Sequence, residues 1–288
     1  MNRKLICILL FLLLLVILMY YFYNKKETFD TKNKKNGMVL ILGECFREGN
    51  LGSRIRDTDF GLRTQKKASE SHIDFSTFVK NKYNIDIDIC IHTYKTKYKP
   101  KLMQWYGKLL KKINIYPTIF KNINELYNTT CNSIIRDLDK YDFILITRCD
   151  IFIKPYFNTN VFNPDWKKIM FSTQNFNHQT KCGFYNGDPV VNPEIIFIPK
   201  KYFYILNEKF YDVHWTWGNL KKKFNLTNND MGFMIDSLHN SNTLYDKNPI
   251  YYMVSRNENK TTLLNGVKFD VDNSDTINKY SCKTRYWV

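Results

Sequence analysis

From Gly37 onward, short apolar runs alternate with longer amphipathic stretches. Gly37-Met-Val-Leu-Ile-Leu-Gly43 is a continuous apolar run bounded by glycines and reads as a first buried strand. Lys66–Lys82 carries a helical pattern, and Ile85–His92 alternates strictly before ending in Thr93-Tyr94, a second strand. Leu102–Lys112 is predicted helical with Trp105 and Leu109 inward. Ile113–Phe120 holds a third short strand broken by Pro117, and Asn122–Leu138 is predicted helical. The run Phe143–Ile146 breaks at Thr147-Arg-Cys-Asp150 and resumes as Ile151-Phe-Ile153, a strand buried on both faces. Later come a strand at Glu194–Pro199 and helices at Lys200–Lys209 and Asp230–His239. Strands alternating with helices at this spacing predict βαβ units, hence an α/β domain with a mostly parallel sheet flanked by helices.

The amino-terminal pattern is different. Leu5–Tyr23 is nineteen residues without a charge, roughly 28 Å as a helix and long enough to cross a hydrocarbon core. Tyr20 to Tyr23 suit an interfacial aromatic belt, and no small-residue cleavage site follows, so an uncleaved signal-anchor is expected. The predicted division is a tail (1–4), a transmembrane segment (5–23), a lysine-rich stalk (24–36) and one catalytic-sized domain (37–288). The lysines after the span outnumber the charges before it, which by the positive-inside rule would keep the domain cytosolic.

Composition changes the picture little. The net charge is +16, but the lysines are scattered through an Asn/Ile/Tyr/Phe-rich chain, so no nucleic-acid partner is expected. Seven cysteines include no CxxC pair, which argues against zinc; six of them lie beyond the span and permit disulfides without fixing their pairing. Sequons at Asn128, Asn225 and Asn259 agree weakly with a lumenal domain.

Candidate chemistry gathers where strands end. The loop Gly43–Asp57 carries Gly43, Gly52, Arg47, Arg54 and Arg56, directly after the first strand, where an α/β sheet places a nucleotide. Guanidiniums match phosphate oxygens and glycines permit close backbone approach, although a solvated basic loop has the same composition. Arg148 and Asp150 face either a diphosphate and a divalent metal or each other, as a buried ion pair. Asp188, in Asn186-Gly-Asp-Pro189, is a candidate base or an ordinary turn residue. His214, Trp215 and Trp217 are a sugar platform or a core cluster. Asp230 is a base or a helix cap, and His239 a metal ligand or a surface residue.

The anchor, the Gly/Arg loop, Asp88-Ile-Cys-Ile-His-Thr-Tyr94 and Thr147-Arg-Cys-Asp-Ile-Phe-Ile-Lys154 together resemble nucleotide-sugar glycosyltransferases of the GT-A (Rossmann-like) type. The likeness extends to membrane-anchored glycosyltransferase-like proteins of giant viruses. It implies a nucleotide-diphosphate sugar donor and a glycan or glycoprotein acceptor. It also implies a divalent cation (Mn²⁺ or Mg²⁺) and a type II topology with the domain in an ER/Golgi-like lumen or a viral or host membrane. On this likeness Gly43, Arg47, Gly52, Arg54, Arg56, Arg148 and Asp150 hold the donor. Asp150 and His239 hold the metal, Asp188 or Asp230 acts as base, and His214, Trp215 and Trp217 meet the acceptor. The family's Asp-x-Asp falls on Arg148-Cys149-Asp150, so its first acid is absent. That departure leaves a non-catalytic glycan-binding or assembly protein as the alternative; a type II sulfotransferase is a second, with a loop that fits poorly.

Overall fold

The structure is a computed structural model that describes residues 34–48, 55–117, 120, 123–175, 184–185, 188–207, 209–213, 215–235, 238–239 and 250–253. The expected membrane span, nearly all of the stalk, Gly52, Arg54 and His214 lie outside the described residues. Among the described residues no helix is long and apolar enough to cross a membrane. The described elements belong to a compact unit that begins at Lys35.

In chain order the first half contains β1 (Asn36–Leu42), the ribbon β2 (Arg47–Glu48) and β3 (Ile55–Arg56), α1 (Asp59–Tyr83) and β4 (Asp86–Tyr94). It continues with α2 (Lys99–Tyr106), β5 (Leu110–Tyr116), α3 (Ile123–Ile134), β6 (Phe143–Arg148) and β7 (Ile151–Ile153). The second half contains β8 (Ile169–Phe171), β9 (Gln174–Asn175), β10 (Phe184–Tyr185), β11 (Asp188–Pro189) and β12 (Ile195–Pro199). Then come α4 (Trp217–Phe224), β13 (Met231–Phe233), β14 (Leu238–His239) and β15 (Tyr251–Met253).

Seven strands form one sheet in the order β13-β8-β12-β6-β1-β4-β5. β1 pairs in parallel with β4 on one side and with β6 on the other, while β12 runs antiparallel to both β6 and β8. The chain therefore leaves β1 toward one edge and returns to build the other half from β6. That reversal makes the carboxyl ends of β1 and β6 the topological switch point of the sheet, the place where such sheets bind ligands.

β1 explains why its residues form the centre. Met38, Leu40 and Leu42 enter one core with Leu126, Cys131 and Ile134 of α3 and Leu220 and Phe224 of α4. Val39 and Ile41 enter the other with Phe75 and Val79 of α1 and Leu102 and Tyr106 of α2. A strand covered on both faces has to be apolar throughout, which is the run read in the sequence.

Two predicted helices are corrected. The described residues of Asp230–His239 are not helical: Met231–Phe233 is an edge strand parallel to β8, and Gly232 lies against Met170, where a Cβ would meet the Met170 sulfur at 2.9 Å. The helix expected over Leu102–Lys112 stops at Tyr106, because Gly107 adopts φ +49°, and Leu110–Tyr116 pairs with β4. The apolar spacing of Leu109, Leu110, Ile113 and Ile115 fits either period, and pairing with a long central strand decided between them.

Candidate functional site

The first side of the switch point is the exit from β1. Gly43 turns the chain at φ +111°, a conformation that L side chains rarely adopt, and its N–H donates to the His92 carbonyl (3.1 Å). The chain then drops through Cys45 and Phe46 to Arg47 on β2. Helix α1 secures this descent. It is capped by Thr58, whose hydroxyl accepts from the Gly61 N–H (2.9 Å). Gly61 packs on backbone, since a Cβ there would stand 2.5 Å from the Phe46 carbonyl oxygen.

One turn further on, Gln65 joins two loops that are far apart in sequence. Its Oε1 accepts from the Phe46 N–H (3.1 Å), and its Nε2 donates to the Cys149 carbonyl (2.8 Å). The Cys149 N–H in turn donates to the Leu42 carbonyl (2.8 Å). The loop after β1 and the turn after β6 are thereby fixed to each other.

What they hold in common is an ionic cluster. Asp150 is 3% exposed. Its Oδ2 accepts from Arg47 Nη2 (2.5 Å) and Arg148 Nη2 (2.9 Å), and its Oδ1 accepts from Arg148 Nε (2.9 Å). Arg148 also reaches Glu194 through Nη1 (3.2 Å), while Glu44 lies 3.9 Å from Arg47 and 3.7 Å from Arg56. Burial alone would raise the Asp150 carboxyl; the Arg148 and Arg47 guanidiniums outweigh it and hold that carboxyl far below the usual carboxylate range. Among the described residues the cluster brings together three guanidiniums and three carboxylates. The side chains of Arg148 and Arg56 remain 25% and 35% exposed.

Of the residues singled out in the sequence, Gly43, Arg47, Arg56, Arg148 and Asp150 come together where β1 and β6 end. Sequence reasoning missed Glu44, Gln65, Glu194 and Tyr127, whose hydroxyl would lie 3.8 Å from a Cβ on Gly43. Glu194 arrives because β12 is reversed: its amino end, Ile195, is in register with Thr147 near the carboxyl end of β6. Asn192 sits on the same approach and donates to the Tyr251 hydroxyl (2.7 Å).

Asp188 belongs to the segment leading to Glu194. Its carboxylate packs on Gly218 in the first turn of α4, so closely that a Cβ at Gly218 would collide with it. Asp230 does not join the site. It precedes β13 at the amino end of the parallel strands, about 16 Å below the level of Arg148 by strand rise. There it accepts from the Thr227 hydroxyl (2.6 Å) and N–H (2.8 Å) and the Tyr202 hydroxyl (2.6 Å), which lower it to about 2. Trp215 packs edge-on against Phe210 and Tyr211, and Trp217 donates to Asn228 (3.1 Å) beside Phe233, so both serve the core cluster around α4. His239 pairs through its backbone with β9, and its side chain lies outside the described residues.

No family model matches the chain, and no curated protein does. Solved structures with a similar course of the chain include a nucleotide-diphospho-sugar transferase from Desulfovibrio desulfuricans. It is 10% identical, with a TM-score of 0.41, over 72% of this chain and 81% of that one. A glycosyltransferase involved in the glycosylation of the major capsid of PBCV-1 is 10% identical, with a TM-score of 0.37, over 77% and 95%. The galactosyltransferase LgtC, solved with donor and acceptor sugar analogues, is 9% identical, with a TM-score of 0.35, over 68% and 72%. These are remote likenesses.

A divalent cation needs free carboxylate oxygens, and Asp150 does not supply them. Both of its oxygens accept from guanidiniums, which occupy the positions a dication would take with like charge. Among the described residues no group of three His, Cys, Asp or Glu is arranged to hold a metal ion.

Proposed function

We propose that this chain is a membrane-anchored glycosyltransferase moving a sugar from a nucleotide-diphosphate sugar to a glycan or glycoprotein hydroxyl, with its domain in a lumen. The observation that carries the reading is the placement of Arg47, Arg56 and Arg148 around the switch point between β1 and β6, beside the Gly43 turn. An anion there meets planar N–H forks already aligned by buried carboxylates, so little ordering is needed on binding. Arg148 and Arg56 face the diphosphate, and Asp150, Glu194 and Glu44 hold those guanidiniums in place. Asp150 is therefore a positioning residue in this reading, and positive charge at the leaving group comes from guanidinium.

In the reaction the acceptor oxygen bonds to the anomeric carbon as the bond from that carbon to the diphosphate oxygen breaks. The electron pair leaves on the nucleoside diphosphate, where the arginines stabilise it. Asp188, on the same end of the sheet, takes the acceptor proton if the step inverts configuration.

The test is a thermal-stability titration of the detergent-solubilised full chain with nucleoside diphosphates and nucleotide sugars, each with Mn²⁺ and with chelator. Selective stabilisation by one nucleotide, equal in both conditions, is the expected result. The internal neutralisation of Asp150 also favours a second reading, a non-catalytic glycan-binding protein. Silence toward every nucleotide together with stabilisation by an oligosaccharide would establish that reading instead.

A further inference from the structure

Two cysteines flank the ionic cluster. Cys45 lies two residues before Arg47 and Cys149 one residue before Asp150, in loops 104 positions apart in sequence. Their sulfurs are 2.7 Å apart, about 0.7 Å longer than the roughly 2.0 Å of a disulfide bond. Both are buried in the core on the α1 face of the sheet. The backbone holds them there from each side: the Cys45 N–H donates to the Thr93 hydroxyl (3.1 Å), and the Cys149 carbonyl and N–H are taken by Gln65 and Leu42. Cys90 and Cys131 are buried in the opposite core.

We infer that Cys45 and Cys149 form a disulfide that ties the loop after β1 to the turn after β6. The bond forms by thiol–disulfide exchange with a protein disulfide oxidant. A Cys45 or Cys149 thiolate attacks the oxidant's disulfide, and the second thiolate then displaces the oxidant from the mixed disulfide. Two thiols lose two electrons and two protons, and the oxidant leaves as a dithiol.

Burial, with Cys45 alongside, pushes the Cys149 thiol well above its ordinary range, so the closed fold offers little thiolate for attack. Exchange accordingly precedes closure of the β1 loop over Cys149, which places it during folding and in an oxidising compartment. Once formed, the bond fixes the separation of Arg47 and Asp150 covalently. It stands whether or not the switch point takes a nucleotide sugar.

The experiment uses the full chain expressed through the secretory route, alkylated with N-ethylmaleimide under denaturing conditions and mapped by mass without reduction. The expected product is a Cys45 peptide joined to a Cys149 peptide, two hydrogens lighter than their sum, with Cys90 and Cys131 alkylated. Reduction should then lower the melting temperature by roughly 5–15 °C in the native chain and leave a C45S/C149S variant unmoved. Alkylation of both Cys45 and Cys149, or either one joined to Cys182 or Cys282, overturns the proposal. If the double variant does not accumulate, the peptide map of the native chain decides alone.

Discussion

Asp150→Asn replaces one carboxylate oxygen with an amide that donates hydrogen bonds. At Oδ2 the native carboxylate accepts from two guanidiniums, and at Oδ1 from one. Whichever way the amide is oriented, its NH₂ faces at least one guanidinium N–H, and Arg47, 7% exposed, keeps its charge with Glu44 at 3.9 Å as its one remaining carboxylate among the described residues. Breaking a buried pair by removing one member costs about 3–5 kcal/mol, a large part of the roughly 5–15 kcal/mol that holds a typical domain together. Urea unfolding followed by tryptophan fluorescence should show that loss at pH 7.

The pH dependence gives a second check. The folded carboxyl lies below the ~3.9 of an unfolded aspartate, so its contribution is complete above about pH 5 and fades as pH falls toward and through the folded value. The gap between native and variant proteins should be flat from pH 5 to 8 and narrow below about pH 4. A variant within ~0.5 kcal/mol of the native protein at pH 7 would refute the internal pairing and return Asp150 to the role of a free ligand.

Three other outcomes follow from the same geometry. Gln65→Leu leaves the Phe46 N–H and the Cys149 carbonyl without their side-chain partner; at about 1–3 kcal/mol for each buried group it should destabilise markedly in urea unfolding. Gly218→Ala should cost about 1–3 kcal/mol through collision with the Asp188 carboxylate, and most of that cost should vanish in a D188A background, which calorimetry of the four proteins will show. His72 and His92 are buried, and desolvation lowers them to about 4 and about 3, against ~6.5 unfolded. Below about pH 6.5 the unfolded chain binds more protons than the native one, so stability should fall by about 1.4 kcal/mol per pH unit for each histidine down to about pH 4. Urea midpoints at pH 7, 6 and 5 test this, and His92→Gln should halve the slope.

The central strands were legible because burial on both faces leaves an unambiguous apolar run, as in Gly37–Gly43 and Phe143–Ile146. The edges were not. Met231–Phe233 is three residues long, and its state is decided by β8, some sixty positions earlier in the sequence. In the ionic cluster, members next to a strand end in sequence were singled out, whereas those delivered by topology were not. Glu194 needed the direction of β12, and Gln65 needed the packing of α1 under two loops at once. A glutamine inside a helix gives no local signal that both of its amide atoms are engaged. Asp150 was visible as a strand-end acid, but its partner Arg47, 103 positions away, was identified only as a member of a basic loop.

The single reversed strand has an evolutionary consequence. Because β12 runs against its neighbours, the segment before it opens on the same end of the sheet as the segments after β1 and β6. Asp188 and Glu194 are thus carried by a connection between β8 and β12 whose length the sheet register does not constrain. Insertions and deletions there can retarget what is recognised at the rim while the arginine cluster and its scaffold stay fixed, so the two halves of the site are free to diverge at different rates.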